Sequence, residues 1–190
     1  YLLNIIILTK IFFMYTYMLV PISFDLLFLS CSENSGNNKK VLEVVTNSQN
    51  IFSIDDFYNL GFKKYREYDV ADLDGATDAV FGFWGPDSFS RKEYELRIYN
   101  SHSEAINLGE KLAEEATGND AVLKSSKSSW KEGIKDRRTI GGPGAGGGGR
   151  SGTFPKYGNY AIFANVVMLC EGAEEIALQV CWDLIDQLSN

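Results

Sequence analysis

The sequence predicts an α+β domain: an antiparallel sheet of four to five strands with two main helices packed on one face. Three observations predict it. Phe62 to Tyr99 alternates apolar and polar residues between turn signals, as a meander of antiparallel strands does. Two stretches, 101–116 and 173–188, carry apolar residues at helical spacing. Tyr160 to Cys170 is strongly β-prone and apolar on both faces apart from Asn165, so it reads as a central strand.

The elements follow in order. Val41-Leu42-Glu43-Val44-Val45 reads as a short strand or a run docking on the core. Ser53 caps a short helix, with Asp56 at the capping-box position and Gly61 as the stop. Strands then fall on 63–70, 79–84 and 92–99, separated by turns at Asp72-Leu73-Asp74-Gly75 and Gly85-Pro86-Asp87-Ser88. In the third strand Tyr94, Leu96 and Ile98 alternate with Glu93, Glu95 and Arg97, so one face is expected to be wet. Ser101-His102-Ser103-Glu104 opens a helix that runs to Ala116, with Gly118 ending it. Residues 119–159 have little periodicity and read as a long basic, Gly-rich loop. The last helix spans 173–188, with Ala177, Val180, Cys181, Leu184, Ile185 and Leu188 on one side.

The N-terminus divides the chain further. Residues 1–30 read as a signal peptide or membrane anchor, 31–40 as a polar tether, and 41–190 as a single domain. The chain begins at Tyr1, and Met14 and Met18 are candidate starts. The apolar run Ile11 to Leu29 ends at Ser30-Cys31 and a polar stretch follows at once. Phe28-Leu29-Ser30-Cys31 resembles the lipobox of bacterial lipoproteins, with Phe28 where Leu is usual and Asp25 inside the apolar run. The resemblance implies lipidation of Cys31 and a membrane-anchored place in a bacterial envelope. It covers the export segment and implies nothing about the folded domain. Cleavage by the ordinary peptidase would instead give a secreted protein. An uncleaved anchor over Ile5 to Leu29 is long enough to span a bilayer, which takes about 20 residues; Asp25 weighs against it. A cytoplasmic chain with this helix buried in the fold is the fourth reading.

Removing Cys31 leaves Cys170 and Cys181, an even pair that an exported protein is expected to bridge; two unbonded core cysteines are the alternative. The net charge is −7, which argues against nucleic acid as a partner. That charge is uneven. Between Ala121 and Gly158 eight basic residues face only Glu132 and Asp136, a net of +6, which leaves the rest of the chain at −13.

Several patterns match chemistry without its context. Gly144 to Ser151 fits the spacing of a phosphate-binding loop with Arg150 in place of Lys, but no strand is expected before it and no helix after it. Asp69, Asp72, Asp74 and Asp78 surround Gly75, yet a calcium-loop register would start on Val70 and end on Phe81. His102 is the single histidine and sits in a helix cap, so no metal site and no Ser-His-Asp triad is expected. No cofactor and no catalytic residue are assigned. Phe81, Phe83, Trp84, Phe89 and Tyr94 read as core or as a binding face.

The basic loop is the candidate site. Trp130, Lys135, Arg137, Arg138, Arg150 and Tyr157 suit an anionic small molecule, a glycan or a lipid headgroup, because Arg forks planar anions and Trp adds a flat face. An internal role competes: the cations neutralise the acidic body and Trp130 packs under the loop. The expected function is a lipid-anchored, non-enzymatic binding or interaction module with an anionic ligand or an envelope protein as partner. An extracytoplasmic hydrolase using carboxylates and the Arg cluster, and a structural subunit of an envelope assembly, are the alternatives.

Overall fold

The structure, a computed structural model, describes residues 41–141 and 152–189. Residues 1–40, on which the expected signal peptide or anchor, Cys31 and the expected tether fall, and Arg150 with the Gly run before it lie outside the described residues. In chain order the elements are β1 Val45–Thr46, α1 Ile54–Asn59, β2 Lys63–Glu67, β3 Ala76–Trp84 and β4 Lys92–Tyr99. Helix α2 follows in three joined pieces: His102–Glu104, a π-helical turn Ala105–Gly109, and Glu110–Ala116. Then come β5 Arg138–Ile140, β6 Thr153–Pro155, β7 Tyr157–Phe163, β8 Val166–Glu171 and α3 Glu174–Leu188.

The class is α+β, as expected. The main sheet has six strands in the order β1-β7-β8-β4-β3-β2, and β5 and β6 form a separate hairpin. Among the described residues only β1 pairs in parallel, with β7; the other pairings in the main sheet are antiparallel. The count exceeds four to five because 160–170 is not one strand. It folds into the hairpin β7–β8, turning at Ala164 with φ +51° and at the fully buried Asn165.

The two main helices lie on opposite faces, which corrects the expectation that they share one. Phe57 of α1 and Val180, Leu184 and Ile185 of α3 pack on Leu96, Ile98, Met168 and Cys170. Ala105, Ala113 and Ala116 of α2 pack on Tyr160, Ile162, Val167 and Leu169. The reason is in β8, where Val166 to Cys170 are all fully buried. A strand apolar on both faces needs a cover on each. Gly109, at the end of the π turn, lets α2 sit close: a Cβ there would stand 2.8 Å from both Tyr99 Oη and Val167 Cγ2.

Cys170 of β8 and Cys181 of α3 are joined by a disulfide, with Cα atoms 5.6 Å apart and 11 residues of separation. The bridge fixes α3 to the sheet. Replacing both cysteines by alanine is expected to lower stability by about 3 kcal/mol, the loop-closure value for a ring of this size. Urea unfolding of the two proteins checks it, and equal midpoints would show that the helix is held without the bridge.

Candidate functional site

The expected wet face of β4 is dry. Glu95 and Arg97 are both fully buried. What covers them is the segment after α2. Residues 117–137 cross the sheet face beyond α2 as a strap. Trp130 and Ile134 point inward, and Trp130 packs with Tyr68, Leu73, Ala79 and Phe81.

Three carboxylates pin the strap. Glu115 of α2 accepts from Ser128 Oγ at 3.0 Å and from the Ser129 amide at 2.7 Å. Asp136 accepts from Tyr68 Oη at 2.9 Å and from Arg66 Nη1 at 2.8 Å, which ties the strap to β2. Glu95 is the central pin. Its two oxygens accept from Arg137 Nε at 2.8 Å and Nη2 at 2.9 Å, a bidentate pair, and from Arg97 Nε at 2.9 Å. The guanidiniums of Arg97 and Arg137 lie 5.0 and 4.8 Å from the centre of the Trp130 ring. That is cation–π distance in a desolvated setting. Lys156 pairs with Glu93 beside the cluster and lies over Phe81 at 4.6 Å.

The electrostatics follow from burial and charge. Burial pushes the Glu95 carboxyl up, but Arg137 and Arg97 overcome it and hold Glu95 below the usual carboxylate range. Burial pulls the Arg97 guanidinium down, with Glu95 opposing. Burial raises Glu115, and its hydrogen bonds from Ser129 and Ser128 reverse that. Two cations meet one anion at the centre. Arg97 Nη1 and Nη2, Tyr99 Oη, Trp130 Nε1 and Tyr157 Oη are buried there without a hydrogen-bond partner, although Arg97 Nη2 stands 2.8 Å from Glu95 Oε1.

The structure therefore scatters the six candidate site residues. Trp130, Arg137 and Tyr157 are buried and have no surface to offer a ligand. Arg138 is half-buried in β5, Lys135 is exposed, and Arg150 lies outside the described residues. Lys135 instead shares an open groove of about 280 Å³ with Arg66, Ser125, Lys131, Glu132, Gly133, Ile134 and Asp136. Gly133, with φ +67°, lets the strap turn against Tyr68: a Cβ there would stand 2.8 Å from the ring. Sequence reasoning missed Glu95, Arg97 and Arg66 as site residues, and Lys131 stands among the eight basic residues of the loop without being one of the six candidates. The available signal was an acid and a base two apart on one strand face, with a Trp and an Arg pair in an aperiodic segment later on.

Of the aromatic strand, Phe81, Trp84 and Tyr94 are core and Phe89 is fully exposed. His102 Nδ1 lies 2.6 Å from the Ala164 carbonyl and braces the β7–β8 turn. Among the described residues no group of three His, Cys, Asp or Glu side chains is placed to hold a metal ion, and no helix is long and apolar enough to cross a membrane.

Fold and site together define an α+β domain in which a basic strap is pinned to the sheet by a buried ion cluster. The chain belongs to DUF6810, a family of unknown function, whose model matches residues 53–190. No curated protein and no solved structure matches it.

Proposed function

We propose that the protein is an exported, non-enzymatic binding module, lipid-anchored in a bacterial envelope through Cys31, and that it binds through the outer rim of the strap. The compartment is supported by the Phe28-Leu29-Ser30-Cys31 box and by the Cys170–Cys181 bridge, because disulfides persist in oxidising surroundings. The observation that carries the binding half is a division among the strap's cations. Arg137 is locked to Glu95 inside, whereas Lys131 and Lys135 stand exposed around the groove and form no ion pair among the described residues. A strap held from below keeps its lysines in place, so less freedom is lost when an anionic partner arrives.

Replacing Lys131 and Lys135 together by alanine is expected to weaken binding of a short sulfated glycan, used as a polyanion probe, by about tenfold, from roughly 0.7 kcal/mol per exposed contact. Calorimetric titration at low and high salt checks it. Equal affinity for the two proteins would remove the rim as a site. Intact mass of the protein from its own membranes checks the anchor: a diacyl or triacyl adduct on Cys31 is expected, and an unmodified chain that keeps residues before Cys31 would sink that half.

A further inference from the structure

We infer that the open edge of β2, together with the groove beside it, takes an extended acidic polypeptide segment by strand addition. The inference rests on the reading of the basic rim as a binding surface and names the class of partner. Among the described residues the main sheet ends at β2 on this side, and all five residues of β2 are exposed. Alternate N–H and C=O groups of an edge strand point away from the sheet and can pair with another chain. The opposite edge, β1, is only two residues long.

The side chains of β2 select what can lie there. The strand carries Lys63, Lys64 and Arg66 against a single acid, Glu67. A second copy of the same strand would bring cations onto cations, whereas an acidic segment is complementary. Lys64 pairs with Glu67 and Arg66 with Asp136, which leaves Lys63 without an ion pair among the described residues.

A bulge gives the edge its direction. The register with β3 slips between Lys64 and Arg66. Tyr65 and Arg66 consequently both lean toward the strap. Tyr65, exposed by 64%, stands edge-on to Phe81 at 5.6 Å and Phe83 at 6.0 Å. Arg66 reaches Asp136 and lines the groove with Lys131 and Lys135. A segment laid along β2 passes over an aromatic ledge and then beside Arg66, Lys131 and Lys135, which outnumber the groove's two acids, Glu132 and Asp136. That order suits a chain alternating acidic residues with β-branched or aromatic ones.

The test uses the whole chain in mild detergent and a ten-residue peptide alternating Glu with Thr and Val. Two further peptides carry the same charges but are N-methylated on one or the other alternate set of amides. Strand addition uses one set only. The unmodified peptide is expected to bind and to shift the amide resonances of 63–67, Lys131 and Lys135. One methylated peptide should lose at least tenfold in affinity and the other stay within about twofold. If both methylated peptides bind like the parent, the contact is charge alone; strand addition is then wrong while the basic rim stands. If no peptide binds and the sulfated glycan does, the inference fails and the rim again stands. If neither peptide nor glycan binds, both readings fall.

Discussion

Glu95→Ala is expected to destabilise the domain by about 3–5 kcal/mol, the cost of stranding a buried charge when its partner is removed. In a domain of this size that is a loss on the order of 10 °C in Tm. Glu95 is fully buried and holds both Arg137 nitrogens and Arg97 Nε. Without it, two guanidiniums remain against Trp130 with no anion between them. Arg97→Met should cost less, about 1–2 kcal/mol, because it leaves the neutral Glu95–Arg137 pair intact, and the loss of the Arg97 Nε bond to Glu95 is offset by removing a buried charge whose Nη1 and Nη2 make no hydrogen bond. The order of the two variants is the informative result. A milder Glu95→Ala than Arg97→Met in thermal unfolding would mean that Glu95 is not the pin. The pH dependence has a fixed sign. The folded-state pKa of Glu95 is depressed below its ordinary 4.5, so the unfolded chain binds that proton more readily. Its stabilisation is fully present above about pH 4.5 and is lost as pH falls through the lower folded value. Wild type should therefore lose stability more steeply than Glu95→Gln below pH 4.5. Parallel curves would dissociate the carboxylate from strap stability.

The elements were legible wherever the cause is local. Ser53 with Asp56 opens α1, Gly61 closes it at φ +87°, and Gly75 turns the chain into β3 at φ +74°. Ser101 Oγ accepts the Glu104 amide at the start of α2, and Gly118 follows its end at φ +76°. The Cys170–Cys181 bridge followed from pairing the cysteines left once Cys31 is set aside. What failed to show was anything decided by a distant segment. Alternation along β4 says that Glu93, Glu95 and Arg97 share a face; it does not say that the face meets water. That was decided by Trp130 and Arg137, which come from a stretch with no period to read. The same limit misplaced the helices. Periodicity marks the apolar side of α2 and of α3 but not which side of the sheet each covers. Within the basic loop Arg137 and Trp130 turn inward to meet a charge pair, Glu95 and Arg97, that the strand pattern had placed in solvent.

Asn165→Ala is expected to cost roughly 3–5 kcal/mol, from three buried backbone groups at about 1–3 kcal/mol each with partial relaxation. Its side chain does what a turn with ordinary residues cannot. Nδ2 donates to the Phe52 carbonyl at 2.8 Å and the Tyr99 carbonyl at 2.7 Å, and Oδ1 accepts from the Phe52 amide at 2.7 Å. Its own carbonyl accepts from the Tyr99 amide at 2.9 Å. One side chain thus joins the β7–β8 turn to the end of β4 and to the segment that leads into α1. Asn165→Asp is the sharper test, since it is nearly the same shape. A carboxylate keeps the acceptor for Phe52 but gives nothing to two carbonyls, and it adds a charge at a fully buried site. The aspartate variant should be at least as damaged as the alanine at neutral pH and should recover part of its stability on acidification, where the carboxyl is neutral and can donate one bond. The sign is that of a group whose folded pKa is raised: its penalty is absent below the unfolded value near 4 and grows as pH rises through the folded one. Equal stability of Asn165→Asp and wild type at pH 7 would show that the two carbonyls are satisfied without the amide, and the turn would then rest on Ala164 and His102.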